Sequence, residues 1–305
     1  MNCIFIYNPV SGRGKIHKKL KLITKSLGEK YDDVTVYATQ YSGDMKRMAR
    51  ESVGKYDAII FSGGDGSFNE VLQGIADLDN LPELGYIPSG TVNDIARTLK
   101  LPRNNIKKAL KVIKTGRNEL LDCMKVNDQY AMYVVAAGAF TSATYNTPQT
   151  DKNNAGKLAY YVEGIKHNFN FDFFDIDCTS EKKHMHGMLI LFFNSRYVSG
   201  FKVNELASLQ DGKIEATIIQ EEPKAKSGPL KKFISLLVLA VLFLFGRRRV
   251  KHKSLINLEG NSFDVDVSDD VVWNFDGEKG CSGKIHVEVV PKKVNVIVPK
   301  NLKQV

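Results

Sequence analysis

The sequence feature that most constrains the fold is a glycine-rich run between an apolar segment and an amphipathic one. Residues 63–67 read Gly-Gly-Asp-Gly-Ser. Residues 58–61 before the run are apolar, as in a strand buried on both faces of a parallel sheet. After the run, apolar side chains recur at helical spacing as far as Ile75. The order predicts a strand, a tight turn and a helix.

The glycines of this turn would let the backbone approach a ligand closely. Three of the four residues 63–66 are glycine, so few side chains would block such an approach. The N-terminus of the following helix presents N–H groups, which favour phosphate. Because a carboxylate would repel phosphate directly, we expect Asp65 to face Mg2+ or the water shell of that ion. From these residues alone, an ordinary strand-to-helix turn remains an equal alternative.

Two further loops follow apolar segments in the same way. The loop at 8–15 is not a Walker A loop, because Pro9 and Ile16 stand where that motif needs glycine and Ser or Thr. The loop at 88–97 follows the apolar residues 84–87. Since parallel strands end along one edge of a sheet, the three loops are expected to converge there.

Three aspartates in or near these loops are candidates for a magnesium site. Asp65, Asp94 and Asp122 would supply carboxylates to Mg2+ through water. Asp94 has the alternative role of a helix cap, and Asp122 that of a strand-end residue.

Length and pattern indicate two domains in the 305 residues. Strand and helix patterns alternate over the first 120 residues, which predicts a parallel α/β domain, and the texture then becomes β-rich. We assign domain boundaries at 1–123 and 124–290, and leave open whether the last strand, about 291–305, returns to the first domain.

The first seven residues have no basic start or long apolar stretch, so they predict no signal peptide and a cytoplasmic location. His184 and His186 are expected to be surface residues, with no carboxylate spaced to join them as metal ligands.

A basic and apolar stretch accounts for the net charge of +9. Residues 224–253 contain nine Lys and Arg residues and no Asp or Glu. Within them, the thirteen residues 233–245 are apolar except for Ser235, and as a helix would span roughly 20 Å, less than a bilayer core. Such a helix could contact an anionic membrane surface peripherally, or cap a β-sheet core. The cations are not interleaved with stacking aromatics, which argues against nucleic-acid binding.

Five segments, taken together and in order, resemble the diacylglycerol kinase catalytic family, and most closely its soluble bacterial lipid kinases. The segments are Asn8-Pro-x-Ser-Gly12, Gly63-Gly-Asp-Gly-Ser67 with Asn69 and Glu70, Gly90-Thr-x-Asn-Asp94, Leu209-Gln-Asp-Gly212 and Asp276-Gly-Glu278. Ser67 departs from the threonine of most members but keeps the hydroxyl. Phosphofructokinase and NAD kinase share the glycine run without the other segments. The resemblance implies an α/β plus β fold, with an N-terminal parallel-sheet nucleotide-binding domain like theirs and a C-terminal β-rich sandwich domain.

The resemblance also implies that the protein uses ATP and Mg2+. The residues expected around ATP are Asn8, Pro9, Val10, Ser11, Gly12, Thr39, Gly64, Asp65, Gly66, Ser67, Phe68, Asn69, Glu70 and Thr91. Thr39 is supported only by its place after the second strand. A structural Mg2+ would take the side chain of Asp211 and the backbone carbonyls of Ser208 and Lys213.

By the same resemblance, Glu278 would accept the proton of a lipid hydroxyl, with Asp276 supporting it and Asp65 completing the catalytic set. Without the other motifs, 276–278 would be interpreted as a charged hairpin turn. The expected enzyme is a lipid kinase that converts diacylglycerol to phosphatidic acid at the cytoplasmic membrane surface. A kinase for phosphatidylglycerol or a sphingoid base, and a non-catalytic nucleotide sensor, remain alternatives. A homodimer is left open.

Overall fold

The structure is a computed structural model, and it describes residues 1–10, 16–139, 171–222, 224–225 and 227–303. The chain divides into two compact units. The first unit comprises Met1–Cys123, Leu209–Asp211 and Val290–Val305, and the second comprises Met124–Ser208 and Gly212–Val289.

The first unit is built on a parallel sheet in which β2 (Asp33–Ala38), β1 (Asn2–Tyr7), β3 (Ala58–Gly63) and β4 (Glu83–Pro88) follow in that order, with the end of β17 (Ile285–Val298) beside β4. The start of β5 (Arg117–Val126) also belongs to this unit. Its helices are a 3-10 turn (His17–Lys19), α1 (Leu20–Leu27), α2 (Asp44–Ser52), α3 (Asp65–Ile75), α4 (Asp94–Thr98) and α5 (Ile106–Thr115).

The sequence pattern explains this arrangement. β3 and β4 are buried at every position, as the continuous apolar segments predict for central parallel strands. One side of the sheet packs Phe5 and Ile60 with Leu27 of α1 and Ile113 of α5. The predicted strand, turn and helix around 63–67 are confirmed as β3, Gly64 and α3.

The second unit is mainly antiparallel. Its elements are the end of β5, β6 (Gln129–Ala131), β7 (Val134–Gly138), β8 (Phe174–Cys178), β9 (Lys183–Phe193), β10 (Tyr197–Val198), β11 (Phe201–Lys202), β12 (Ile214–Gln220), α6 (Gly228–Phe245), β13 (Leu255–Gly260), β14 (Ser262–Asp266), β15 (Val272–Phe275), β16 (Glu278–Ser282) and the start of β17 (Ile285–Val298). Trp273 is fully buried in its core beside Phe192, and its indole N–H donates to Gly283 O at 2.8 Å. The predicted fold class, a parallel α/β unit followed by a β-rich unit, is confirmed.

The structure refines the prediction for His184 and His186. The histidines do have carboxylate neighbours, because strand pairing puts them opposite aspartates of β8, but the described residues include no group that could hold a metal ion. His184 Nδ1 lies 2.6 Å from Asp177 Oδ1, and His186 Nδ1 lies 2.8 Å from Asp175 Oδ1. Both histidines are at the surface, as predicted.

The apolar stretch forms a longer helix than the sequence predicted. Helix α6 has eighteen residues, because it begins at Gly228 with Pro229 in its first turn. It would span about 27 Å, and by length and composition it is long and apolar enough to cross a membrane. It ends where Gly246 takes a φ of 82°, a conformation that suits glycine.

Candidate nucleotide-binding site

The loops that follow β3 and β4 are joined by backbone hydrogen bonds at the carboxyl edge of the first unit's sheet. Ser89 N and Gly90 N both donate to Gly63 O, at 2.8 and 3.1 Å. After β1, Asn8 Oδ1 accepts a hydrogen bond from Val10 N at 3.0 Å, which forms a local turn. The predicted ATP residues Ser11 and Gly12 lie outside the described residues.

The two bonded loops approach each other so closely that they require glycine. A Cβ atom on Gly90 would lie 2.5 Å from Gly64 Cα, and one on Gly64 would lie 3.3 Å from Gly90 Cα. A Cβ atom on Gly63 would lie 2.0 Å from Ser67 Oγ, so this glycine makes room for the first turn of α3. The glycine run therefore serves backbone packing as well as any approach of a ligand.

Asn93 and Tyr86 hold this pair of loops in place. Asn93 is buried with a φ of 55°, and its side chain bonds both Gly90 N at 3.1 Å and Gly90 O at 2.6 Å. The Tyr86 hydroxyl lies 3.2 Å from Gly63 O and 3.2 Å from Asn93 Oδ1. Asn93 belongs to one of the motifs that carry the family resemblance but was assigned no role, and Tyr86 was missed, although a polar tyrosine within the apolar segment 84–87 was a usable signal.

The carboxylates of Asp65 and Asp94 belong to the same region. Asp65 opens α3, and its Oδ1 accepts a hydrogen bond from Ile95 N at 3.3 Å. Asp94 is fully buried, with the Arg97 Nε atom 3.8 Å from its Oδ1. Burial first, and then the charges of both aspartates, raise the pKa of Tyr86 well above its usual value. Tyr86 is therefore a neutral hydrogen-bond donor at physiological pH.

The structure places Asp122 beside the segment Leu209–Asp211. Asp122 is buried within β5, where its Oδ1 accepts from Lys292 N at 2.7 Å and its backbone N donates to Leu209 O at 2.7 Å. That segment, Leu209–Asp211, carries the predicted metal residue Asp211.

The other two residues of the predicted structural metal site lie in the second unit. Lys213 Nζ is 2.6 Å from Glu259 Oε1 there, and Ser208 is half-buried. Among the residues that the structure describes, no three His, Cys, Asp or Glu side chains form a group that could hold a metal ion. Both magnesium assignments stay predictions.

The first turns of α3 contain most of the other predicted ATP residues. Gly66, Ser67 and Glu70 are half-buried, whereas Asn69 is buried. Phe68 is a core side chain whose ring contacts Phe61 and Tyr86 at 5.5 and 5.4 Å between centroids.

Two predicted residues lie at other strand ends. Thr39 N donates to Tyr7 O at 2.9 Å, which places Thr39 beside the end of β1, and Thr91 is exposed in the loop after β4. Thr39 therefore lies at the carboxyl edge of the sheet, which is also the edge that carries the loops after β3 and β4.

In the second unit, Asp276 is a buried anchor of the turn between β15 and β16. Its carboxylate accepts hydrogen bonds from Met132 N at 2.6 Å, Tyr133 N at 2.9 Å and Val134 N at 3.0 Å. Its backbone has a φ of 55°, in the left-handed region, and Gly277 follows at 95°. The carboxylate therefore ties the turn to the segment before β7, which suits the supporting role predicted for it.

Glu278 differs from Asp276 in its surroundings. It is exposed at the first position of β16, opposite Phe275 of β15. An exposed carboxylate next to a rigid turn can reach a bound molecule, whereas the buried one cannot do so without breaking the turn. The assignment of Glu278 as proton acceptor stays a prediction.

Comparison with known proteins bears on the whole chain. Residues 2–126 match the diacylglycerol kinase catalytic domain, and residues 133–298 match the YegS C-terminal NAD kinase beta sandwich-like domain. The chain is 33% identical over 301 residues to a diacylglycerol kinase of Bacillus subtilis (strain 168), with 97% of this chain and 95% of that protein covered. The chain belongs to the diacylglycerol kinase family. It is a lipid kinase of the diacylglycerol kinase type.

Further relatives agree with this family. A diacylglycerol kinase of Staphylococcus aureus (strain MRSA252) is 30% identical, with 97% of this chain and 92% of that protein covered. A crystal structure of a diacylglycerol kinase from Bacillus anthracis str. Sterne has a TM-score of 0.75 at 23% identity, and covers 97% of this chain and 96% of that one. At that identity the structural match supports the fold alone.

The residues of the first unit fit the ATP and Mg2+ that such a kinase implies. The close approach of Gly64 and Gly90 leaves backbone, not side chains, at the start of α3, where N–H groups favour phosphate. Asp65 in the first turn is a half-buried oxygen donor of the type that Mg2+ prefers. In this family member, Asp65 is the residue that would hold the ion, directly or through water.

Proposed function

We propose that this protein transfers the γ-phosphate of ATP to the hydroxyl of a membrane lipid, and that diacylglycerol is the acceptor and phosphatidic acid the product. The observation that carries the proposal is the pair of glycine loops at the N-terminus of α3, found in a chain of this family. The relatives named above support diacylglycerol as the acceptor.

The proposed reaction assigns each residue a separate task. Backbone N–H groups of α3 bind the phosphates, while Tyr86 and Asn93 keep the two loops at a fixed distance. Mg2+, when bound, neutralises charge on the transferred phosphoryl group. The lipid oxygen forms a bond to the γ-phosphorus, the bond to ADP breaks, and Glu278 accepts the proton of the hydroxyl.

The test uses purified protein, labelled ATP and separate detergent-dispersed lipids: diacylglycerol, phosphatidylglycerol and a sphingoid base. Label is expected in phosphatidic acid. We expect Asp65→Asn to lower turnover by about 10²- to 10³-fold, because it removes the anionic oxygen donor that would hold Mg2+ beside the phosphates. Asp79→Asn, which changes an exposed aspartate of the same unit, is the matched control. Bound ATP with no labelled lipid would refute the proposal, and label in another lipid would change the acceptor.

Glu278→Gln separates a kinase from a nucleotide sensor. A kinase that uses Glu278 as base loses about 10²- to 10⁴-fold in turnover while keeping its affinity for ATP. Glu181→Gln, at an exposed site of the same unit, controls for loss of a carboxylate. Unchanged turnover in Glu278→Gln would remove the proton-acceptor role. Because the proposed reaction consumes ATP, the protein would work at the cytoplasmic face of the membrane.

A further inference from the structure

Helix α6 has one packed face and one apolar face that is open to solvent. Ser235, Val238 and Leu242 are buried, at the spacing of a single helix face. The exposed large apolar side chains of α6, called here the docking face, are Leu230, Phe233, Leu237, Leu244 and Phe245, with 46, 62, 54, 68 and 54% of each exposed. Steps of three, four and seven residues place most of them in one stripe along the helix.

The packed face fixes α6 lengthwise on the second unit. The helix contacts β11 and β12, and the ring of Phe243 meets that of Phe201 at 5.8 Å. Near its N-terminus, Lys231 Nζ lies 3.1 Å from Glu221 Oε1. Because one side of α6 packs on strands of its own unit along the helix, α6 cannot be surrounded by lipid as a spanning helix would be. Its exposed stripe can still enter the surface of a bilayer.

Exposed cations follow the docking face. They are Arg248, Arg249, Lys251 and Lys253. Arg247 is different, because its guanidinium is tied to its own unit through Asn257 Oδ1 at 2.8 Å and Leu258 O at 2.7 Å. Two acids lie close to these cations: Glu205 Oε1 is 3.9 Å from Arg249 Nη2, and the pKa of Glu222, lowered first by a hydrogen bond from Ser254, is lowered further by the charge of Lys253. The end of α6 thus joins apolar surface to a local excess of positive charge.

We propose that α6 and residues 248–253 dock the protein on an anionic phospholipid bilayer. The helix lies parallel to the membrane plane, with the docking face among the acyl chains and the four cations at the anionic headgroups. Charge complementarity favours this occupant over a second copy of the chain, because the same face of a copy would bring the same cations. The contact would deliver the enzyme to its lipid acceptor, and this use of it rests on the proposed function. The contact itself does not depend on that function.

Co-sedimentation of the full chain with vesicles tests the docking. Vesicles of phosphatidylcholine are compared with vesicles that contain about one-third phosphatidylglycerol, and the wild type is expected to bind the anionic ones. The double variant Phe233→Gln/Leu237→Gln removes apolar area and should weaken binding by about thirtyfold. Arg248→Gln/Arg249→Gln should weaken binding to anionic vesicles by about twentyfold at low salt and much less at high salt.

Matched controls change similar residues elsewhere. Val36→Gln alters an exposed apolar side chain of β2, and Lys107→Gln/Lys108→Gln removes two exposed cations of α5. Both controls should bind vesicles within about twofold of the wild type, and circular dichroism shows whether each variant is folded. Absence of wild-type binding to anionic vesicles, or equal binding by wild type and Phe233→Gln/Leu237→Gln, would overturn the proposal. A dimer that this double variant dissociates would assign the face to a second copy.

Two readouts separate this proposal from the proposed function. The chain has a single tryptophan, Trp273, which is fully buried, so Leu237→Trp places a second indole in the docking face. Its emission should shift to the blue on anionic vesicles even if no lipid is ever phosphorylated; an unshifted spectrum contradicts docking. If the kinase function holds, docking variants should keep turnover on dispersed short-chain diacylglycerol and lose it on vesicles.

Discussion

A methyl group at Gly90 would collide with the backbone of the neighbouring glycine loop at Gly64. The added Cβ would lie 2.5 Å from Gly64 Cα and 2.8 Å from Asn93 Oδ1. Since the optimal van der Waals separation of non-bonded carbon atoms is about 3.5–4.0 Å, the two loops would have to move apart by about 1 Å. A displacement of this size at a reacting centre costs about 10²-fold in rate, and overpacking costs about 1–3 kcal/mol in the free energy of unfolding.

We therefore expect Gly90→Ala to fold, with a lower Tm and a kcat/KM about a hundredfold below that of the wild type. The assay is transfer of label from ATP to dispersed lipid at a temperature well below both Tm values, with ATP affinity measured by calorimetry. Gly28→Ala is the matched control, because its Cβ would meet its nearest atom at 3.4 Å and no positive φ is involved. If Gly90→Ala binds ATP and turns over like Gly28→Ala, the two glycine loops do not position the phosphates.

Other predictions test single contacts. Asp276→Asn keeps one oxygen for Tyr133 N and Val134 N but turns an NH2 donor toward Met132 N and removes the buried charge, so unfolding in urea should show a loss of about 3 kcal/mol. Tyr86→Phe should cost about 1 kcal/mol of stability and raise the KM for ATP, as steady-state kinetics can measure. The hydrogen bond that the His184 imidazole donates to the Asp177 carboxylate raises the pKa of His184, so NMR titration should return that pKa toward 6.5 in Asp177→Asn. A group whose pKa is higher in the folded than in the unfolded state stabilises the folded state at pH values below its unfolded-state pKa. This stabilisation is lost as the pH rises through the folded-state pKa. The stability difference between wild type and Asp177→Asn should therefore be largest below pH 6.5 and shrink above it; the opposite trend would contradict the assigned pair.

The sequence by itself was sufficient for features that depend on neighbours along the chain. The strand before Gly63 and the helix after Ser67 follow from residue spacing, because burial on both faces and helical amphipathicity leave local patterns. The same holds for the α/β part followed by the β-rich part. The five motifs, taken in their order along the chain, were enough to indicate the family, because each motif is a short segment whose residues are close in sequence.

Contacts between distant segments were decided only by the tertiary structure. Asp276 accepts hydrogen bonds from backbone more than 140 residues away, so the motif could not show that its carboxylate is committed to the turn. Asp122 N donates to Leu209 O, a contact between residues far apart along the chain that no local pattern indicated. Residues 233–245 of helix α6 are apolar except for Ser235, so the sequence does not show which face packs, whereas the burial of Ser235, Val238 and Leu242 identifies the face that remains exposed. Such pairings depend on chain topology, which residue spacing does not encode.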